Sequence, residues 1–308
     1  MNAMINLILL LILFINGTLG VFILLNAPRS LSNKIFSVLC FIATVWTFTN
    51  YMTSSYPTQF WLKSTYSLGS LLVATGLIWT LIMVDGKLNL IKFSTISFFS
   101  IFFMIGSFQN GFVASHYTGI YSGGSFSGTS GIGLTYYATY YIILSIIIIW
   151  KLFTFQKSLT GEEKLQVQCV LIGSLITLTV TAFSSFVLPV FNIFDLGGID
   201  CIGFLFFLLS IAYAITKHHL FNLKVISIQL LIFALWTTLF IRLTLTTNLH
   251  DLLLEGSLFT VSVVFGILLI RNILLEKRHR QRVEELTHKL KQAYKDLEEL
   301  DMIMPIDG

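Results

Sequence analysis

The sequence predicts an all-α protein: a polytopic membrane bundle of about nine transmembrane helices followed by a cytoplasmic coiled-coil helix. Three observations lead there. Apolar residues make up 55% of the 308-residue chain and charged residues only 11%, whereas roughly a quarter of a soluble domain is charged. Stretches of about 18 or more apolar residues recur along most of the chain, the length a helix needs to cross about 30 Å of hydrocarbon. A basic heptad pattern begins where the last of them ends, at Arg271. Unbroken runs such as Ile142–Ile149 exclude the alternating strands of a membrane β-barrel.

Taken in order, the spans fall at about residues 4–25, 35–56, 64–84, 93–110, 134–155, 169–190, 199–216, 225–247 and 252–271. The first lacks a basic leading segment and exceeds the apolar core of a signal peptide, so it is expected to stay as an anchor. Orientation follows from Lys and Arg. One alternate set of connections holds Arg29, Lys34, Lys87, Lys92, Lys151, Lys157, Lys164, Lys217, Lys224 and the whole basic tail. The opposite set holds only Lys63, with Arg242 inside a nearby span. That bias puts the N-terminus outside and the C-terminus in the cytoplasm. The longest outside connection, Asn110–Gly133, is rich in Gly, Ser, Thr and Tyr and has no Lys or Arg. It reads as a flexible extracellular loop, either a lid over a ligand or a slack connector.

The tail carries a heptad seam. Val283, Leu290 and Leu297 are seven residues apart, with Leu286, Ala293 and Leu300 three residues after each, and Met304 continues the first series. Arg282, Lys289 and Asp296 flank the seam. The pattern suits a parallel dimeric coil. Because Arg271 to Arg282 is strongly basic, it also suits an amphipathic helix on anionic lipid.

Catalytic chemistry has no evident home: phosphate-binding loop, metalloprotease motif and nucleophile triad are all missing from the sequence. No cofactor or metal is expected. Cys40, Cys169 and Cys201 lie far apart in or beside apolar runs and read as core thiols. His218 and His219 read as part of a basic cytoplasmic boundary. Polar and aromatic residues gather instead in the outer membrane half: Asn50, Tyr51, Tyr66, Gln109, Tyr136, Tyr137, Tyr140, Tyr141, Arg242 and Glu255. An interfacial aromatic belt accounts for most of the tyrosines. The candidate ligand-binding set is Asn50, Tyr66, Gln109, Tyr140, Arg242 and Glu255, facing an outward cavity for a small apolar or amphipathic ligand. Arg242 and Glu255 flank the short Thr247–Asp251 turn, so they pair with each other, snorkel to the interface or touch a ligand.

Three passages carry a family resemblance: Asn33-Lys34-Ile35-Phe36 with Trp46, then Leu165 through Gly173, then Ala212-Tyr213-Ala214-Ile215 followed by Lys217 through Leu223. Together they resemble the N-terminal seven-transmembrane sensor region of bacterial histidine kinases, over residues 1–224. The resemblance implies a sensor in the bacterial plasma membrane and assigns no binding residues. Residues 225–271 add a helical hairpin beyond that pattern, 272–304 form the signalling coil and 305–308 a short tail. Leu290 through Asp301 resembles the coil that enters a kinase dimerisation helix, without the phosphorylatable His and ATP-binding domain of such kinases. Ile306-Asp307-Gly308 is similar to residues that precede diguanylate cyclase domains. The expected function is a non-enzymatic sensor input module of a two-component signal-transduction protein. Its expected partners are the lipid bilayer, a second copy through the coil and an unknown small or lipophilic ligand, with no nucleic acid. The alternatives are the input module of a diguanylate cyclase receptor, or a small-molecule transporter or channel.

Overall fold

A computed structural model describes residues 2–26, 30–56, 58–87, 89–120, 125–193, 198–217 and 249–303, with residues 232, 235, 236, 238–240, 242 and 243 between them. The helices are α1 (Asn2–Asn26), α2 (Leu31–Ser55), α3 (Gln59–Asp85), α4 (Leu90–Gly106), α5 (Gly133–Lys157), α6 (Gly161–Ala182), α7 (Ile199–Lys217) and α8 (Leu249–Ile303). Beyond Ala182, α6 continues through a π-helical turn, Phe183–Val187, into a last turn, Leu188–Val190. Among the described residues, five helical segments are long and apolar enough to cross a membrane. They are Leu31–Ser55, Gln59–Asp85, Gly133–Lys157, Gly161–Val190 and Asp251–Leu269. The apolar segments Ile5–Val21 and Leu90–Gly106 are shorter. The expected span at 225–247 lies largely outside the described residues, as do His218, His219 and the tail from Met304.

Local chemistry sets several boundaries. The Ser30 hydroxyl accepts the Asn33 amide and starts α2, and the Asn89 side chain accepts the Ile91 amide and starts α4. These caps satisfy amides that have no partner within the helix. Helix α3 stops at Gly86, whose φ of 69° lies in the left-handed region that a residue with a Cβ disfavours.

The helices close a ring. α1 packs along α2, α2 along α3, α3 on α5, α5 on α6, α6 along α7, and α7 returns to α1. α4 sits outside the ring against α3. Where α6 meets α7, a Cβ on Gly173 would stand 2.6 Å from the Ser210 hydroxyl oxygen and 3.1 Å from the Phe207 backbone. The Thr177 hydroxyl donates to the Gly203 carbonyl at 2.6 Å across the same seam. Small residues and interhelical hydrogen bonds of this kind hold helices together where lipid tails remove the hydrophobic drive.

One expectation is corrected. The connection Asn110–Gly133 is not a slack loop but an antiparallel β-hairpin, β1 (Ala114–Ile120) with β2 (Ser125–Ser130). Its base is anchored: Val113 and Ala114 are buried, and the Val113 carbonyl accepts the Gly131 amide at 2.8 Å. The Phe112 ring packs directly over Gly133, where any Cβ would collide with it. Lys63 is also buried, and its ammonium donates to the Phe108 carbonyl at 3.1 Å and to Asn110 Oδ1 at 2.7 Å. The glycines that look like slack in the sequence permit close packing instead.

The C-terminal region docks on α1. The rings of Phe14, Phe240 and Phe259 cluster with centroids 4.9–6.0 Å apart. Trp236 Nε1 donates to the Ser262 carbonyl at 3.0 Å. From there α8 runs for 55 residues without interruption. Val283, Leu286 and Leu290 of the heptad seam are exposed on it. Ala293, Leu297 and Leu300 lie on the same helix, with side chains outside the described set.

A cavity with one buried carboxylate: the candidate functional site

Inside the ring lies a cavity of about 130 Å³, bounded by α2, α3, α5, α6 and α7. Its two ends differ in chemistry. Asn50, Thr53, Thr65, Ser184, Ser185 and Asp200 line the end next to the hairpin. Leu39, Gly76, Trp79, Ile148 and Phe207 line the other. Helical rise over the eleven residues from Leu39 to Asn50 makes the space about 16 Å long.

A proline shapes the polar end. Pro189 has no N–H to return to the carbonyl four residues back, that of Ser185. The backbone there widens into the π turn, in which the Leu188 amide donates to the Phe183 carbonyl. The Tyr66 hydroxyl, from α3, donates to the Ser185 carbonyl at 2.7 Å. The wide turn turns Ser184, Ser185 and Phe186 toward the cavity together. Such bulges are frequent at functional sites.

From that turn a polar chain crosses the bundle. The Tyr137 hydroxyl donates to the Tyr66 carbonyl at 2.6 Å, and the Ser185 hydroxyl donates to Asp200 Oδ2 at 2.9 Å. Asp200 Oδ1 accepts the Cys201 amide at 2.9 Å. Asp200 is only 3% exposed. Among the described residues it has no ion pair with a basic side chain. Its place in the first turn of α7 sets the carboxylate against the positive end of the helix dipole.

The candidate residues read from the sequence separate into three groups. Asn50 and Tyr66 line the cavity. Tyr140 lies just behind the wall: its hydroxyl donates to the Ser70 carbonyl at 3.2 Å and its ring stacks on Phe103 at 4.5 Å. Gln109 sits in the exposed turn beyond α4, and Arg242 forms a 3.0 Å ion pair with Glu255. None of these three lines the cavity.

The aromatic-belt reading is corrected for most tyrosines. Tyr66, Tyr137, Tyr140 and Tyr141 are buried and give their hydroxyls to backbone carbonyls within the bundle. Tyr136 alone of the 136–141 group is exposed, at 67%. Sequence reasoning also missed Asp200, Ser185 and Pro189. A Pro followed by an acidic residue at the mouth of the next span was the available signal.

The arrangement offers a polar end and an apolar end to a bound molecule. Among the described residues, no group of three or more His, Cys, Asp or Glu side chains could hold a metal ion. Comparison of the chain with family models, curated proteins and solved structures finds no match.

Proposed function

We propose that this protein is the membrane-embedded sensor module of a bacterial signal-transduction protein of the histidine-kinase type. In this reading it crosses the plasma membrane about nine times with the N-terminus outside, and works as a homodimer. Occupation of the bundle cavity shifts the balance between two packings of the helices, and α8 carries that shift to a cytoplasmic output.

The observation that supports this most is the continuity of α8. One 55-residue helix begins in the apolar segment Asp251–Leu269 and runs on through the basic stretch to the heptad seam. At 1.5 Å per residue it is about 80 Å long, of which roughly 30 Å covers hydrocarbon. The remaining 50 Å or so would project into water carrying exposed Val283, Leu286 and Leu290, a face suited to a second copy of the same helix.

Cysteines introduced singly along this segment in native membranes test the reading. Val283→Cys, Leu286→Cys and Leu290→Cys should form disulfide-linked dimers under mild oxidation, and Gln292→Cys, off the seam, should not. Equal cross-linking at all four positions would remove the coil. Two glycines inserted after Glu276 should uncouple an attached kinase or cyclase from the bundle; unaltered output would refute rigid coupling.

A transporter is the second reading, favoured by a bundle cavity that holds a carboxylate. Ligand-dependent uptake into proteoliposomes would select it.

A further inference from the structure

Among the described residues, the Asp200 carboxylate is the one acidic group lining the cavity, and no Lys, Arg or His lines it. An ionisable side chain in such a place is costly and normally has a partner. Here its hydrogen bonds come from neutral donors, the Ser185 hydroxyl, the Cys201 amide and thiol and its own backbone amide. None of these donors carries a charge, and among the described residues no counter-ion balances the carboxylate. The nearby walls are aromatic: Trp46, Tyr66, Phe186 and Phe204 all line the space. Phe204 lies one helical turn beyond Asp200, and its ring stands 6.3 Å from that of Trp46. Ring faces attract cations, most strongly where water is excluded.

We propose that this cavity binds a small amphipathic organic cation, a protonated amine whose ammonium group meets Asp200 beside the Trp46 and Phe204 rings. Its apolar body extends toward Trp79, Ile148 and Phe207. The chemistry favours a cation over the main alternatives. An anion would be repelled by the carboxylate. A neutral lipophile would leave that charge without a counter-ion. A hard divalent metal ion is held largely by carboxylates, and among the described residues no group of three or more His, Cys, Asp or Glu side chains occurs. A space of about 130 Å³ is close to cavities that hold benzene, which limits the apolar body to about six to eight carbon atoms. The proposal names the ligand class of the sensor reading. Its test does not involve signalling, so either idea can fail alone.

The experiment uses the full chain in lipid nanodiscs and follows Trp fluorescence, since Trp46 and Trp79 both line the cavity. The probes share one shape and differ in charge: 2-phenylethylamine, 2-phenylethanol and phenylacetate. The amine should bind saturably and at least about tenfold more tightly than the alcohol, the worth of one charge-assisted hydrogen bond. Phenylacetate should not saturate. Asp200→Asn should bring the amine down to the affinity of the alcohol. Gly76→Leu, whose Cβ would meet only Ile148 Cδ1 at 3.9 Å, should fill the apolar end and weaken both probes with the carboxylate intact. Equal affinity for amine and alcohol in the unmodified protein would overturn the proposal, even if the Asp200→Asn chain does not fold. So would a folded Asp200→Asn chain that still prefers the amine, or no saturable amine binding up to about 10 mM, the weak limit for a ligand this small.

Discussion

The ring bundle and the C-terminal arm are built from similar apolar residues but held together differently. In the ring, half or more of the apolar windows of α2 and α3 are buried within the chain, 50% and 56%. In the apolar segment of α8 the share is 6%. The ring also ties its helices with hydroxyl-to-carbonyl bonds from Tyr66, Tyr137, Tyr140 and Thr177. Apolar contact alone gains little in lipid, because the tails are as apolar as the side chains. Directional bonds and close backbone approach therefore specify the ring. The arm leaves its apolar surface to lipid or to another copy.

Substitutions that remove bulk should separate the two regions most widely. Tyr137 is 2% exposed and its ring meets those of Tyr66, Phe103 and Phe186. Tyr137→Ala should lower unfolding stability in detergent by about 3–5 kcal/mol, the usual cost of emptying a buried aromatic site. Leu253→Ala, on an arm residue that is 68% exposed, should stay within about 0.5 kcal/mol. Similar losses at both positions would show that the arm is as tightly packed as the ring.

Added bulk makes the same contrast at smaller size. Gly173→Leu must displace Ser210 or the α7 backbone and should cost about 1–3 kcal/mol through overpacking. Among the described residues, a Cβ on Gly256 meets only the Leu243 side chain, at an ordinary 3.8 Å, and Gly256→Leu should change stability by less than about 0.5 kcal/mol. Thermal unfolding of the two variants side by side measures the difference.

The sequence displays these regions unequally. Apolar run length located the helices well, because a membrane span is a one-dimensional signal. The Arg242–Glu255 pairing was also legible, since two charges on either side of a short turn have few other places to go. The β-hairpin was not. Its strands carry Gly and Ser where strand patterns carry branched residues, and its anchor is the packing of Phe112 on Gly133. The buried tyrosines were legible in principle. Tyr137, Tyr140 and Tyr141 follow the i, i+3, i+4 spacing of one helical face, continued by Leu144 and Ile148. Treating them as interfacial overlooked that stripe. Asp200 sits at the edge of an apolar run, where a charge looks solvated. Only the fold brings Ser185 and Trp46 around it.

A finer probe lies in the π turn. Tyr66→Phe removes the hydroxyl that donates to the Ser185 carbonyl and leaves the ring in place. The loss should be about 1 kcal/mol, near the measured worth of a buried hydrogen bond. Pro189→Ala restores a backbone donor one turn away, so Tyr66→Phe should cost less in that background. A coupling of about 0.5 kcal/mol or more in the double-mutant cycle would tie the proline to the tyrosine. Strict additivity would mean that the wide turn forms for another reason.

The smallest effect belongs to the one ion pair of the arm among the described residues. Arg242 and Glu255 stand 3.0 Å apart, yet the arginine side chain is 67% exposed. Exposed pairs contribute about 0–1 kcal/mol because water screens the attraction and ordering two long side chains opposes it. Arg242→Gln should therefore shift stability by less than about 1 kcal/mol at low salt, and by less still near 1 M salt, where the screening length falls to about 3 Å. Glu255 is more enclosed, with 19% of its side chain exposed. The double variant Arg242→Gln/Glu255→Gln should also lie within about 1 kcal/mol of the unmodified protein. If the single and double variants are equally stable, the pair adds nothing to the arm, and its hold on α1 rests on the Phe14, Phe240 and Phe259 rings and the Trp236 hydrogen bond.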